Sequence, residues 1–269
     1  PWSFISPKAS VLFNRVKAAP VKPLKEIAEI FVGVQTSADD IFIVKPTKAT
    51  QDLVTFSDIN KTVWEIEKGI FHPSMLDVQF EAFEKPNPNT LIIFPYQVKD
   101  GAATLFPVEE MESKFPRAFA YLKAHKTCLT KRNMPNATSQ TWYQYGRSQS
   151  LTKFAGEKLI FPILSREPKY AHDNRNTVVT GGGNGPYYLI RMRNDSNLSL
   201  KFIQAVLCHP VLEAMVRAVA SAFQGGYYSH GKQFIADLPI PNLDLSDKTQ
   251  KKYYDKVLAL VCDLEQVSD

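Results

Sequence analysis

Apolar positions along the chain fall into short runs divided by polar, turn-rich stretches. Within residues 2–18, Val11, Leu12 and Val16 follow Ser10 at helical spacing, which predicts a short amphipathic helix. From Pro23 the string LKEIAEIFVGVQTSADDIFIV predicts a helical turn, an apolar strand at residues 30–34, a polar turn and a second strand at residues 41–44. Together these read as a hairpin-like unit. Residues 90–94 and 158–161 predict further strands, each ended by a proline, Pro95 and Pro162, which cannot donate to a ladder. Pro116 suits the first turn of a helix that carries Phe119, Leu122, Cys128 and Leu129 on one face as far as about Arg132. A strand at residues 187–193 follows a glycine-rich turn, and residues 199–207 and 210–220 predict two helices separated at Pro210. After Ser246, Tyr253, Val257, Leu260, Val261 and Leu264 recur at helical spacing. Strands and helices alternate with no fixed repeat. The expected class is α/β, with α+β as its variant: a mixed sheet with flanking helices in one domain.

Composition narrows this little. Of 269 residues, 44% are hydrophobic and 22% charged, which excludes a disordered or fibrous chain. No apolar run approaches the ~18 residues of a bilayer span, and no signal peptide opens the sequence, so a soluble, cytoplasmic protein without a membrane partner is expected. Cys128, Cys208 and Cys262 make an odd count with no CxxC spacing, and three buried free thiols are expected. The first residue is Pro1 rather than Met, which predicts a piece of a longer protein.

Charge changes the picture. The formal net charge is +5, but residues 114–175 hold 12 Lys and Arg against 3 Asp and Glu, while residues 1–113 hold 11 against 15. A basic block of that size attracts a polyanion unless acidic neighbours in the fold offset it. Trp142, Tyr143 and Tyr145 beside Arg147, and Tyr170 and His172 between Lys169 and Arg175, add the aromatic component of a nucleic-acid surface. Lys126, Lys131 and Arg132 also sit where cations relieve a helix dipole, so part of the block has a structural explanation.

Catalytic chemistry is harder to find. The string of residues 181–185, GGGNG, is neither GxGxxG nor a P-loop, and a turn between strands is the simpler reading. His72, His125, His172, His209 and His230 lack metal-ligand spacing. Two ExK triplets, ending at Lys114 and Lys169, have no strand-end Pro-Asp upstream, and no GxSxG elbow is present. A DNA amino-methyltransferase needs an Asn/Asp-Pro-Pro-aromatic string; the nearest here, residues 85–89 (KPNPN), lacks the double proline.

Seven strings in order resemble the C-terminal specificity domain of TaqI-type adenine DNA methyltransferases and of the fused restriction-and-modification enzymes related to them. They are Gly33–Val34–Gln35–Thr36 with Asp39, Asp40 and Phe42; Ile92 to Tyr96; Pro116 through Tyr121–Leu122 to Leu129 and Arg132; Trp142–Tyr143 with Gly146–Arg147; Lys158 to Pro162; Phe223 to Ser229; and Leu238 to Pro241. The resemblance implies a target-recognition domain that clamps double-stranded DNA while an upstream methyltransferase domain, attached in cis and absent from this sequence, uses S-adenosylmethionine to methylate adenine at N6. Residues 1–20 would then be a connector helix, 21–245 the recognition domain and 246–269 a C-terminal helix. No cofactor is expected on this fragment, and no catalytic residue.

On this reading Lys126, Lys131, Arg132, Lys153 and Lys169 contact phosphates. Arg147, Arg166 and Arg175 carry the planar fork that reads guanine. Trp142 and Tyr143 belong either to the core or to a stacking surface. Tyr227, Tyr228, Ser229, His230 and Lys232, flanked by glycines, lie in a stretch whose backbone can approach a strand closely, and residues 35–37 form a turn able to reach phosphates or bases. Three rivals stand: a separate specificity subunit of the type I kind, a metal-dependent nuclease using Glu112 or Glu167, and a protein-interaction module acting through the last helix.

Overall fold

The computed structural model describes residues 6–134, 136–182 and 185–267. Its spine is an antiparallel sheet of β1 (Ala28–Val32), β2 (Lys158–Pro162), β3 (Ala171–Asp173) and β4 (Gly185–Met192), in the order β3-β2-β4-β1. Leu159 faces Ile190 and Ile190 faces Ile30 across the ladders, and Ile160, Leu189 and Phe31 form the next row. Alternation sends these rows to opposite faces, and both are buried, which is why β1, β2 and β4 each carry consecutive apolar residues. Pro162 is the last residue of β2, paired opposite Tyr187.

One face of the sheet packs against helices α1 (Pro7–Ala18), α2 (Leu200–Leu207), α3 (Pro210–Arg217) and α4 (Lys248–Val267). Ser6 caps α1, its hydroxyl accepting from Ala9 N at 3.3 Å, and Ser199 caps α2 in the same way. Two predicted helix faces are rotated. In α1 the inward side chain is Phe13, with Ala9 and Val16, while Val11 and Leu12 are exposed. In α4 Tyr254, Val261 and Glu265 are buried, and Tyr253, Leu260 and Leu264 lie outward. Polar anchors decide the second case: the Tyr254 hydroxyl accepts from Ser199 N at 2.8 Å, and Glu265 pairs with Lys201 at 2.6 Å.

The other face meets Met75, Phe80 and Val179, which lead into a second lobe built mainly from residues 34–154. There Ile43–Val44, Thr90–Ile93, Phe71–Met75 and Val178–Val179 form a four-stranded sheet whose last pair is parallel, beside a meander of Pro46–Ala49, Leu53–Ser57 and Val63–Glu67. The expected hairpin of residues 30–44 does not form. Its first strand joins β4 and its second joins Thr90–Ile93, because Asp39–Phe42 makes a helical turn that carries the chain from one lobe to the other. The helix expected to run from Pro116 to about Arg132 breaks at His125 into Pro116–Ala124 and Lys126–Thr130. His125 is held by Asp58 at 3.1 Å, and the break turns Cys128 outward. The three cysteines are free, but Cys128 is exposed and Cys208 and Cys262 are half-buried, so the expectation of three buried thiols is corrected.

The lobes join where two chain segments cross. Val34 N donates to Val179 O at 2.9 Å and Gly181 N to Val34 O at 3.0 Å. A Cβ on Gly33 would lie 2.0 Å from Val179 O, and one on Gly181 would lie 2.2 Å from Gly33 N, so only glycine admits the crossing. Among the described residues no helix is long and apolar enough to cross a membrane.

Candidate nucleic-acid interface

Immediately after the crossing, the turn of residues 35–37 is pinned to the loop that follows Lys126–Thr130. Gly146 N donates to Thr36 O at 3.0 Å and Arg147 N to Gln35 O at 3.2 Å. Ser37, with φ 57°, presses on Gly146, where a Cβ would fall 1.9 Å from its hydroxyl. Arg132 closes the assembly. Its guanidinium donates to Leu129 O at 2.9 Å, Thr36 O at 2.7 Å and Trp142 O at 2.9 Å, and it lies 5.6 Å from the ring centre of Phe42. With three of its five N–H donors committed to backbone carbonyls, Arg132 is a staple of this loop.

Trp142 and Tyr143 are buried, so of the two readings left open the core one holds, and neither ring offers a stacking face. Tyr145 is buried with them, its hydroxyl donating to Ile93 O at 2.6 Å, and burial raises its pKa well above the ordinary value. Lys126 is exposed and lies 5.1 Å from the Trp142 ring centre; Lys131 is exposed.

This scaffold presents an open groove of about 550 Å³. Tyr96, Leu105 and Leu151 supply apolar lining, and Asn136, Gln144, Arg147, Ser148 and Gln149 supply polar groups. Arg147 is exposed and, among the described residues, pairs with no carboxylate. Guanidinium and carboxamide groups are the side chains that make bidentate contacts to guanine and adenine edges in the major groove. Four of these five polar residues, all but Arg147, were not anticipated. Their signal was an amide- and hydroxyl-rich string, NATSQTWYQYGRSQS, masked by the stronger charge and aromatic signals within it.

A second cleft of about 490 Å³ opens between the lobes, lined by residues 77–80 on one side and by Ser165, Arg166, Lys169, Tyr187 and Tyr227 on the other. It brings together three predicted residues, Arg166, Lys169 and Tyr227. Lys169 is paired with Glu81 at 2.6 Å, whereas the Arg166 guanidinium lies 4.9 Å from the Tyr227 ring centre. Tyr228 is half-buried beneath Arg217, at 5.0 Å. Ser229 and His230 are buried, against expectation: Ser229 accepts from Gly231 N, and His230 bonds Glu213 at 2.9 Å. Burial pushes the Glu213 carboxyl up, but hydrogen bonds from His230 and Arg217 outweigh it and hold the group below the usual carboxylate range.

The remaining predicted residues are dispersed. Lys153 forms an ion pair with Glu29, leaving its charge compensated. Arg175 is exposed on the turn after β3, and Lys232 is exposed at the start of Lys232–Ile235. Lys158, within the basic block, is buried against Asp173 at 2.5 Å and Phe154 O at 2.7 Å. In the glycine-rich string, Gly181 and Gly182 pair antiparallel with Pro186 and Gly185; residues 183–184 lie outside the described residues. Glu112 of the first ExK triplet pairs with Lys123 at 2.8 Å, and the described residues contain no group of three or more His, Cys, Asp or Glu able to hold a metal ion.

Chains similar to this one are found among restriction–modification enzymes, although no protein-family model matches it. Over 235 residues it is 31% identical to the type II restriction enzyme and methyltransferase RM.Eco57I of Escherichia coli, a match covering 84% of this chain and 23% of that one. Over 255 residues it is 21% identical to the type II methyltransferase M.BanIII of Aneurinibacillus aneurinilyticus, covering 90% of this chain and 39% of that one. The chain therefore spans between about a quarter and two-fifths of the length of these relatives. Among solved structures, the type IIG restriction endonuclease BpuSI aligns with TM-score 0.49 and 11% identity, over 94% of this chain and 28% of that chain.

Proposed function

We propose that this chain, a homologue of type II restriction–modification enzymes, is the part of such an enzyme that recognises a specific sequence in double-stranded DNA. The observation that carries the reading is the groove in which Arg147, Gln144, Gln149 and Asn136 converge, on a loop fixed by Arg132 and the turn of residues 35–37. Base-edge recognition needs a planar donor–acceptor set held by its own supports, and this set has that form. Exposed Lys126 and Lys131, on the segment leading to the groove, supply sequence-independent attraction to phosphates.

In this reading the chemistry belongs to the rest of the parent enzyme. S-adenosylmethionine would bind there and adenine N6 would be methylated there, with or without cleavage, while this chain supplies the register on DNA. The nuclease alternative lacks a carboxylate cluster among the described residues, and nothing in the groove favours a protein partner over a base edge.

The test is binding of the purified chain to mixed-sequence duplexes between about 50 and 300 mM salt, followed by selection of preferred sites from a random pool. Lys126→Ala with Lys131→Ala should lower the slope of log K against log salt by ~0.9 for each phosphate that is no longer neutralised. Arg147→Ala should leave that slope nearly intact but relax the selected site at one base pair, a discrimination of ~1–3 kcal/mol. Binding that is insensitive to salt, or a selected site unchanged by Arg147→Ala, would overturn the assignment.

A further inference from the structure

Residues 222–229 form a hairpin whose strands, Ala222–Phe223 and Tyr227–Ser229, pair with Phe223 opposite Tyr227. The turn is three residues long, with positive φ at Gly225 and Gly226, and residues 221–227 are exposed throughout. On the other side, Leu164–Ser165 pairs with the same strand, and continuing that register sets Arg166 beside Tyr227, its guanidinium 4.9 Å from the ring centre. Residues opposite one another on an antiparallel pair project from the same face. Phe223, Tyr227 and Arg166 therefore make one cross-strand row, with Phe223 49% and Tyr227 38% exposed.

These rings belong to none of the hydrophobic clusters of the core. The hairpin base, in contrast, is held firmly: Ser229 N donates to Ser221 O at 3.1 Å, His230 N to Ile163 O at 2.7 Å, and the His230–Glu213–Arg217 chain lies beneath. A rigid base, an exposed aromatic tip and a cation with no carboxylate partner among the described residues together match an anionic ligand with a flat ring. Tyr227 and Arg166 also line the interlobe cleft, whose volume is within the range of small-ligand sites.

We propose that Phe223, Tyr227 and Arg166 form a stacking platform for a nucleobase that has left the duplex stack. The base would lie against the rings while Arg166 faces its phosphate or adds its own plane to the stack. The site is separate from the groove at Arg147, since it would read the absence of stacking and not the base edge. It rests on the proposal that the chain binds DNA.

The probe is a duplex carrying one extrahelical 2-aminopurine nucleotide, compared with the same duplex fully paired. Wild-type chain should bind the bulged duplex roughly five- to a hundredfold more tightly, as expected for one stacked base, and quench the probe. Phe223→Ala with Tyr227→Ala should abolish both the preference for the bulged over the paired duplex and the quenching. Phe223→Tyr with Tyr227→Phe, which preserves the rings, should retain them. Equal wild-type affinity for the two duplexes, or a preference surviving the double alanine change, would overturn the platform alone. Failure to bind either duplex would overturn the DNA-recognition reading and the platform with it.

Discussion

Replacing Arg132 by alanine separates two roles that its position in a basic run confounds. As a phosphate contact, the residue would be dispensable for folding and would steepen the salt dependence of DNA binding. As the staple described above, it should do the reverse. A hydrogen bond from a charged donor contributes ~1.5–3 kcal/mol. Of the three carbonyls it serves, Thr36 O keeps Gly146 N as a second donor, so Leu129 O and Trp142 O are the ones left short. The side chain also packs on the ring of Phe42. Allowing for partial replacement by water, Arg132→Ala should cost about 2–4 kcal/mol, or roughly 5–15 °C in Tm at ~2–4 °C per kcal/mol for a chain of this size. Arg132→Lys, with one ammonium for three acceptors, should recover less than half of that. Arg132→Met, which restores packing but no donor, tests the hydrogen bonds directly. Urea and thermal unfolding measure the loss, and the salt slope of duplex binding should stay within error of wild type. A variant within ~0.5 kcal/mol of wild-type stability whose salt slope falls by ~0.9 would refute the staple and restore the phosphate role.

Other perturbations test the supports around the site. Gly33→Ala places a Cβ 2.0 Å from Val179 O at the lobe crossing, so soluble yield and Tm should collapse; near-normal unfolding would show that the crossing can widen. Lys158→Met leaves Asp173 buried with only Thr177 and the Arg175 backbone as donors, a loss of ~3–5 kcal/mol by denaturation that should be larger than that of the double change Lys158→Met with Asp173→Asn. Glu213 titrates below the usual carboxylate range, burial being outweighed by its bonds to His230 and Arg217. Its stabilisation is thus complete above the unfolded value of ~4.3 and is lost as pH falls through the lower folded value. Thermal scans down to about pH 3 should show an acid limb that Glu213→Gln flattens, and identical limbs would remove Glu213 as its source.

Sequence patterning located β1, β2 and β4 of the spine, because each carries consecutive apolar residues buried towards both faces; β3, which contains His172 and Asp173, has no such run and was not anticipated. Patterning also failed where partners are distant. Residues 30–44 looked like a hairpin, yet their strands pair with β4 and with Thr90–Ile93, which no local signal encodes. The net charge of residues 114–175 was real but half committed: Lys114, Arg117, Lys123, Lys153, Lys158 and Lys169, six of the twelve cations, pair with carboxylates, five of them with Glu110, Glu65, Glu112, Glu29 and Glu81 of the acidic first segment. Charge counting cannot distinguish a compensated cation from an available one. The amide-rich string of the groove was legible only once the fold showed Gln144, Arg147 and Gln149 lining one groove.

The pairing of β1 bears on how the polypeptide acquires its shape during synthesis. Its only strand partner among the described residues is β4, with Val32 opposite Tyr188 and Ala28 opposite Met192, so every residue of the second lobe up to Phe154 leaves the ribosome before that partner does. The second lobe, built largely from contiguous sequence, can condense first, while the spine must wait for a pairing of high sequence separation with an apolar edge still uncovered. Refolding from denaturant should accordingly be biphasic, a fast phase burying Trp142 and a slow one closing the spine. Aggregation at high protein concentration should compete only with the second phase.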